Sequence, residues 1–404
     1  MFFFSCNVPQ TKPANLTNFF KWEKESLDDV HRVNNARAQV ESALKSENYT
    51  AIISRIDEYI PLIFDVRKAL VSWCETHKKS LLGKSEFHWS SGNGSNTKKF
   101  FGSKLFDYEI VMILATKAIL LMRRATDTPI GHAFHKEVYD AKLSDLKIAT
   151  SLWGYLASVA IPRVTEDVSP YVVECNVSFA RHMETLCMAG REALLLRKLV
   201  DNDIMDIVKE PESPSDLGEG DPRTGLKVMW DKAAGIAKQI SVRCASILDK
   251  LEHVDAVLVK KYLGKHFIPI VRTFYHLSLF RSNRFHGEHY WRQESDDMCS
   301  NPHGVGVGFL SQAKLWGDQV LMDLEKSKPR ETQLITKVTN VFEVEFKFVA
   351  QIIPKYITEL KVVYAESMAT SKDDLLIYDL PDLAVATPEK FDEPLSVLTS
   401  LKLK

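Results

Sequence analysis

Apolar side chains recur at a helical period along most of this sequence, and that periodicity restricts the fold more than any other feature. From Leu334 the positions Val338, Phe342, Phe346, Val349, Ile353, Ile357, Leu360 and Tyr364 form one stripe, with the spacing that puts side chains on one face of an α-helix. Phe342 to Phe348 also alternates as a strand does, but the length of the stripe selects the helix. Similar stripes run from Ser26 to Leu44, Ala51 to Leu82, Lys104 to Arg124, His132 to Ala160 and Val168 to Val208. The last is expected to start at Glu166-Asp167-Val168-Ser169-Pro170, an acidic Ser-Pro entry that suits the positive end of a helix dipole.

Two interruptions stand between the stripes. Trp89 to Thr97 is polar and glycine-rich, and Pro211 to Pro222 is acidic and proline-rich; both are expected to be mobile surface loops. After Ser371 the prolines at 381, 388 and 394 forbid a continuous helix. The tail is therefore expected to lie extended across the helices and bury Leu375, Leu376, Ile377 and Tyr378. With no repeat, no heptad run and no long linker, a single elongated helical domain over residues 1–404 is expected. It comprises an N-terminal extended segment (1–25), a helical body (26–370) and an extended strap (371–404).

The 404 residues are 45% hydrophobic and 26% charged, the mix of a globular chain with a sizeable core. Fifty-two basic and fifty-three acidic side chains leave a formal charge of −1, so a dedicated nucleic-acid binder is not expected. The apolar run around Ile110 to Met122 is broken by Lys117 and ended by Arg123-Arg124. It falls short of the roughly 20 apolar residues that a membrane span needs. Met1 to Cys6 carries no basic lead-in or cleavage site, so no secretory signal is expected. The cysteines show no CxxC spacing and are expected to be free thiols of a cytoplasmic protein.

Catalytic chemistry finds little support. His132 and His135 stand three residues apart, with Glu137 close behind, and His286 and His289 repeat that spacing. Neither pair forms the HExxH pattern of a zinc hydrolase. A helical metal- or ligand-dependent enzyme built on these four imidazoles is the alternative to a non-catalytic reading. Gly304-Val305-Gly306-Val307-Gly308 resembles a phosphate loop, but no buried strand precedes it, so the glycines are expected to let one helix pack close to another. No catalytic residue, metal or cofactor is expected. Lys260-Lys261 with Lys265, and Lys326-Ser327-Lys328-Pro329-Arg330, are short basic clusters that are either solvated faces or contacts to acidic lipid or an acidic partner.

Several landmarks occur in an order that resembles the Bro domain family. They are Phe87-His88-Trp89 before a polar loop, Phe106-Asp107-Tyr108-Glu109-Ile110 opening an apolar helix, and Leu146 to Leu156 ending in Trp-Gly-Tyr-Leu. Further on come Phe285-His286-Gly287-Glu288, the glycines from Gly304, and Asp373-Asp374-Leu375-Leu376-Ile377-Tyr378 with Leu380-Pro381. The opening Val8-Pro9 is similar to the family's first strand.

This resemblance implies a mainly α, banana-shaped domain of tetratricopeptide-like helical hairpins with a small N-terminal β element and an extended C-terminal strap. It also implies a non-enzymatic adaptor whose partner is the C-terminal amphipathic helix of an ESCRT-III filament subunit, recruited from the cytoplasm to endosomal or other cytosol-facing membranes, with a same-fold scaffold in pH-response signalling as the other reading of the resemblance. By position, the family's partner-binding patch corresponds to Met183 with Leu195, Leu196 and Leu199. The basic residue expected on the preceding helix reads as Ser144, with Lys142 and Lys147 nearby. Ordinary core packing explains the same apolar residues equally well.

Overall fold

The computed structural model describes residues 7–77, 85–127, 136–164, 168–208, 227–291, 302–327, 332–364, 368, 390–398 and 401–403. The periodic stripes become helices α1 (Leu27–Ala43), α2 (Tyr49–His77), α3 (Phe106–Asp127), α4 (Lys136–Tyr155) and α5 (Val177–Val208). They continue as α6 (Lys227–His253), α7 (Phe267–Trp291), α8 (Pro302–Ser327) and α9 (Thr332–Glu359). Each helix packs against its successor from α1 to α9, so the main core runs along the row. The ambiguous stretch from Phe342 to Phe348 lies within α9.

The apolar run of α3 resembles a membrane span because this helix is enclosed on all sides. Ile110 to Leu114 and Ala118 to Met122 are all buried, as an all-round apolar helix in a large core requires. Lys117, which breaks the run, reaches Asp57 at 2.6 Å. Among the described residues no helix is long and apolar enough to cross a membrane.

Strands β1 (Phe87–Ser90) and β2 (Phe100–Ser103) form an antiparallel pair. The N-terminal segment joins β1: the Lys12 amide donates to the His88 carbonyl and the Ser90 amide to the Gln10 carbonyl. Behind the strands, the Glu109 carboxylate accepts hydrogen bonds from Arg37 Nε (3.0 Å), Tyr59 Oη (3.1 Å) and Trp89 Nε1 (2.6 Å). One buried anion thereby ties α1, α2, α3 and β1 together.

The loop after β1 departs from expectation. Ser91, Gly92, Asn93 and Gly94 are buried rather than mobile, because they enclose the fully buried carboxylate of Glu174. Ser91 Oγ donates to Glu174 Oε2 at 2.6 Å, while Gly92 N, Asn93 N and Asn93 Nδ2 donate to Oε1 at 2.9, 3.0 and 3.3 Å. The polar, glycine-rich composition supplies donors and close backbone approach; it is not a sign of solvation. The Pro211–Pro222 segment lies outside the described residues.

Helix α5 also starts later than expected, at Val177 rather than Val168. Asn176 caps it, its Oδ1 accepting the Phe179 amide at 3.0 Å. Residues 168 to 175 instead form turns closed by Val172 N to Ser169 O and Cys175 N to Val172 O, which deliver Glu174 to the β1 loop.

The described part of the C-terminal segment runs back across the helices. Tyr155 Oη and Arg163 donate to Glu393 at 2.7 and 2.9 Å. The Val397 and Leu398 amides both donate to Asp65 Oδ2, and Leu403 pairs with Trp22. Residues 373–381, which carry the family-like strap signature, lie outside the described residues.

Candidate partner-binding surface

Helix α5 is apolar on more than one face, so its sequence alone does not say which face is outward. The structure separates them. Phe179, Met183, Leu186, Ala193, Leu196 and Val200 are buried and pack into the main core. Glu184, Met188, Arg191, Leu195 and Leu199 are half-buried and Lys198 is exposed, and their spacing keeps them on one outward stripe.

Of the residues singled out from sequence, Met183 and Leu196 therefore belong to the core, at 0% and 2% exposure. Leu195 and Leu199 lie together on the outward stripe, one turn apart. Lys142 is buried and donates to the Ala125 carbonyl at 2.6 Å, so it ties α4 to α3. Lys147 remains half-exposed and Ser144 exposed. Helices α4 and α5 touch where a Cβ on Gly154 would meet Glu184 Oε1 at 2.8 Å and where Trp153 meets Phe179 edge-on.

Met188 escaped the sequence reading. Its stripe is interrupted by Arg181, Arg191 and Lys198, but Arg197 falls on the inward stripe between Ala193 and Val200, so the charges do not by themselves mark the outward face; the polar side chains buried beside the inward stripe are His182 and Glu192. Both of those are paired: His182 Nε2 with Asp255 at 2.8 Å, and Glu192 with Arg243 Nε at 2.8 Å. Arg243 also reaches the Met188 sulfur at 3.9 Å, so α6 flanks the stripe. The surface thus has an apolar line of Met188, Leu195 and Leu199 with basic side chains along its edges.

The histidines do not assemble into a site among the described residues. His286 is buried on α7 and stacks on Phe309 at 5.1 Å. Burial, with His289 and Lys238 nearby, lowers its pKa to about 4. His132 and His135 lie outside the described residues. Among the described residues no group of three or more His, Cys, Asp or Glu side chains is placed to hold a metal. The glycines from Gly304 sit in the first turns of α8, where Gly306 packs directly on the backbone of α7. Lys260, Lys261 and Lys265 are exposed.

The sequential helical row, the strand pair beside it and the returning C-terminal segment make up a Bro domain fold. Three solved structures share it. A Bro1 domain solved to explain endosomal targeting matches with a TM-score of 0.64 and 14% identity, over 96% of this chain and 93% of its own. The ALIX BRO1 domain in complex with CHMP4C gives 0.66 and 9% identity over 99% and 98%. ALIX in complex with the SIVmac239 PYKEVTEDL late domain gives 0.67 and 10% over 99% of this chain, which spans 50% of that one. No family model matches the sequence. No curated protein matches it either.

Proposed function

We propose that this chain is a non-enzymatic adaptor that receives the C-terminal amphipathic helix of an ESCRT-III filament subunit. It would link that subunit to endosomal sorting or membrane remodelling at cytosol-facing membranes. The observation that carries the proposal is the fold shared, over nearly all of this chain, with a BRO1 domain that was solved together with CHMP4C. The whole of residues 1–404 would act as one Bro domain.

The outward stripe of α5 supports this reading. Met188, Leu195 and Leu199 offer apolar contacts at helical spacing, which matches the one-sided face of a partner helix. Covering each leucine removes apolar area from water and contributes about 1.5–3 kcal/mol when burial is complete, less for side chains that are already half-buried. Arg191 and Lys198 on the same stripe favour a partner helix with acidic flanks. The basic clusters at Lys260, Lys261 and Lys265 are available for peripheral contact with an acidic membrane.

Fluorescence anisotropy with labelled C-terminal helices of ESCRT-III subunits tests the proposal. Leu195→Asp and Leu199→Asp are expected to weaken binding at least about tenfold while the protein stays folded. Unchanged binding by both folded variants would overturn the assignment of the surface, and failure of every such helix to bind the wild-type protein would overturn the function.

A further inference from the structure

Arg243 reaches the margin of the α5 stripe from the neighbouring helix. Two side-chain contacts fix how α6 lies on α5: His182 Nε2 meets Asp255 at 2.8 Å, and Glu192 Oε1 accepts from Arg243 Nε at 2.8 Å. Positions that rise along α5 meet positions that fall along α6, so the two helices are antiparallel and Arg243 stands level with the middle of the stripe. Glu192 is fully enclosed, whereas the Arg243 side chain keeps 27% of its surface open. The pair thus points outward, with the anion inside and the cation at the surface. Burial raises the Glu192 pKa, and among the charges that oppose this Arg243 is the largest influence.

A guanidinium carries five N–H donors. Glu192 takes the one on Arg243 Nε, and Nη1 rests 3.9 Å from the Met188 sulfur, which is a weak acceptor. Among the described residues no other acceptor meets the group, and Nη2 is not a buried atom left without a partner, so the Nη1–Nη2 end is left to water. That edge can grip a carboxylate with two parallel hydrogen bonds, and it stands beside Met188, where the apolar line of the stripe begins. Anchoring also lowers the cost of binding: Glu192 already holds Arg243 through Nε, so less rotamer freedom remains to be lost. Arg181, two turns before Met188, is tied at its tip instead, its Nη1 donating to Glu184 at 2.8 Å. A ligand there would have to displace that partner.

Resting on the reading of the stripe as a docking face for an amphipathic helix, we propose that Arg243 selects the partner by a carboxylate. The partner helix carries an aspartate or glutamate three or four residues from the apolar side chain that covers Met188, a spacing that brings both to the same end of the stripe. The carboxylate takes the Nη1–Nη2 edge. Glu192, too deep to touch the ligand, is the positioning residue. Helices with an equal apolar face but neutral flanks are disfavoured, because docking strips water from the guanidinium without replacing it.

Anisotropy titrations with two kinds of labelled helix test this: C-terminal helices of ESCRT-III subunits, and designed leucine-faced helices whose flanking glutamates are exchanged one at a time for glutamine. On the wild-type protein one such exchange is expected to weaken binding about tenfold, and the same exchange should change little on Arg243→Gln. Arg243→Lys should show an intermediate preference, since it keeps the charge but not the fork. Equal affinity for glutamate and glutamine helices on the wild type, or a glutamate preference that persists in folded Arg243→Gln, would overturn the proposal. If Arg243→Gln fails to fold because Glu192 loses its cation, Arg243→Lys decides: a reduced preference supports the proposal and an unchanged one overturns it. Should no ESCRT-III helix bind while the designed glutamate helix binds through Arg243, the adaptor reading falls and the role of Arg243 stands. Should no helix of either kind bind the wild type, both fall.

Discussion

Gly287 and Gly306 meet where α7 packs on α8, so close that a Cβ built on either would lie 2.9 Å from the other's carbonyl oxygen. A Cβ on Gly306 would also stand 2.8 Å from the Trp291 amide nitrogen. Backbone on both sides leaves nothing flexible to yield. Gly306→Ala should therefore destabilise the protein by about 1–3 kcal/mol through overpacking, partly offset by about 1 kcal/mol of helix propensity. A lower urea midpoint would record this. Gly154→Ala is the contrast, since its close neighbour is the movable carboxylate tip of Glu184, and its midpoint should stay within error of the wild type or rise.

The buried Glu174 accepts from Ser91, Gly92 and Asn93 and donates nothing. Burial pushes its pKa up, and these donors pull it back only in part. Glu174→Gln turns one acceptor oxygen into an amide donor facing Ser91, whose hydroxyl already receives the Gly94 amide at 2.8 Å. A loss of about 1–3 kcal/mol is expected from the unmatched hydrogen bond. Glu174→Ala should cost more, because every donor of the loop loses its acceptor. Hydrogen exchange at the Gly92 and Asn93 amides, accelerated well beyond that of α3, would localise the effect. Unchanged exchange would show that the loop holds itself together.

These two sites mark how far the sequence could be read. Gly306 was legible as a packing glycine because no buried strand precedes it, and helix-helix approach is what remains for a glycine there. The loop at Ser91 was not legible, because polar residues and glycines serve a solvated turn and a carboxylate cradle equally well. What decides between them is Glu174, more than eighty residues away in the chain. The same limit applies to α5. Periodicity found the helix, but both Met183 with Leu196 and Met188 with Leu195 satisfy it. Only packing against α4 and α6 reveals which stripe faces outward.

His286 and Glu345 are two of the buried groups that give the stability a pH dependence, in ranges that meet near pH 4. His286 stays neutral in the folded protein down to about pH 4, whereas an unfolded histidine takes up its proton near 6.5. Between those values the unfolded state binds more protons, so stability falls as pH drops through this range, by up to roughly 3 kcal/mol. Glu345 behaves as a paired carboxylate: burial opposes its charge, but Arg281 and Arg284 overcome that and hold its pKa at about 2. Its contribution is complete above about 4.5 and is lost as pH falls towards 2. His286→Phe, which keeps a ring against Phe309, should flatten the denaturation midpoint between pH 6.5 and 4 and leave the lower window intact. A slope unchanged by that substitution would remove His286 as its source.

The two faces of α5 predict opposite outcomes for the same chemical change. Leu196→Asp and Met183→Asp place a carboxylate where the side chain is 2% or less exposed, so loss of several kcal/mol and failure to accumulate folded protein are expected. Leu195→Asp places the carboxylate on the stripe shared with Arg191 and Lys198, where water and nearby basic side chains can solvate it. Its melting temperature should lie within a few degrees of the wild type. If the stripe is the docking surface, Leu195→Asp removes partner binding without unfolding. Restoring the apolar side chain as Leu195→Met should return it, because methionine fills a similar volume with a flexible stem. Folded Leu195→Asp and Leu199→Asp proteins that both still bind would move the docking surface off α5 altogether.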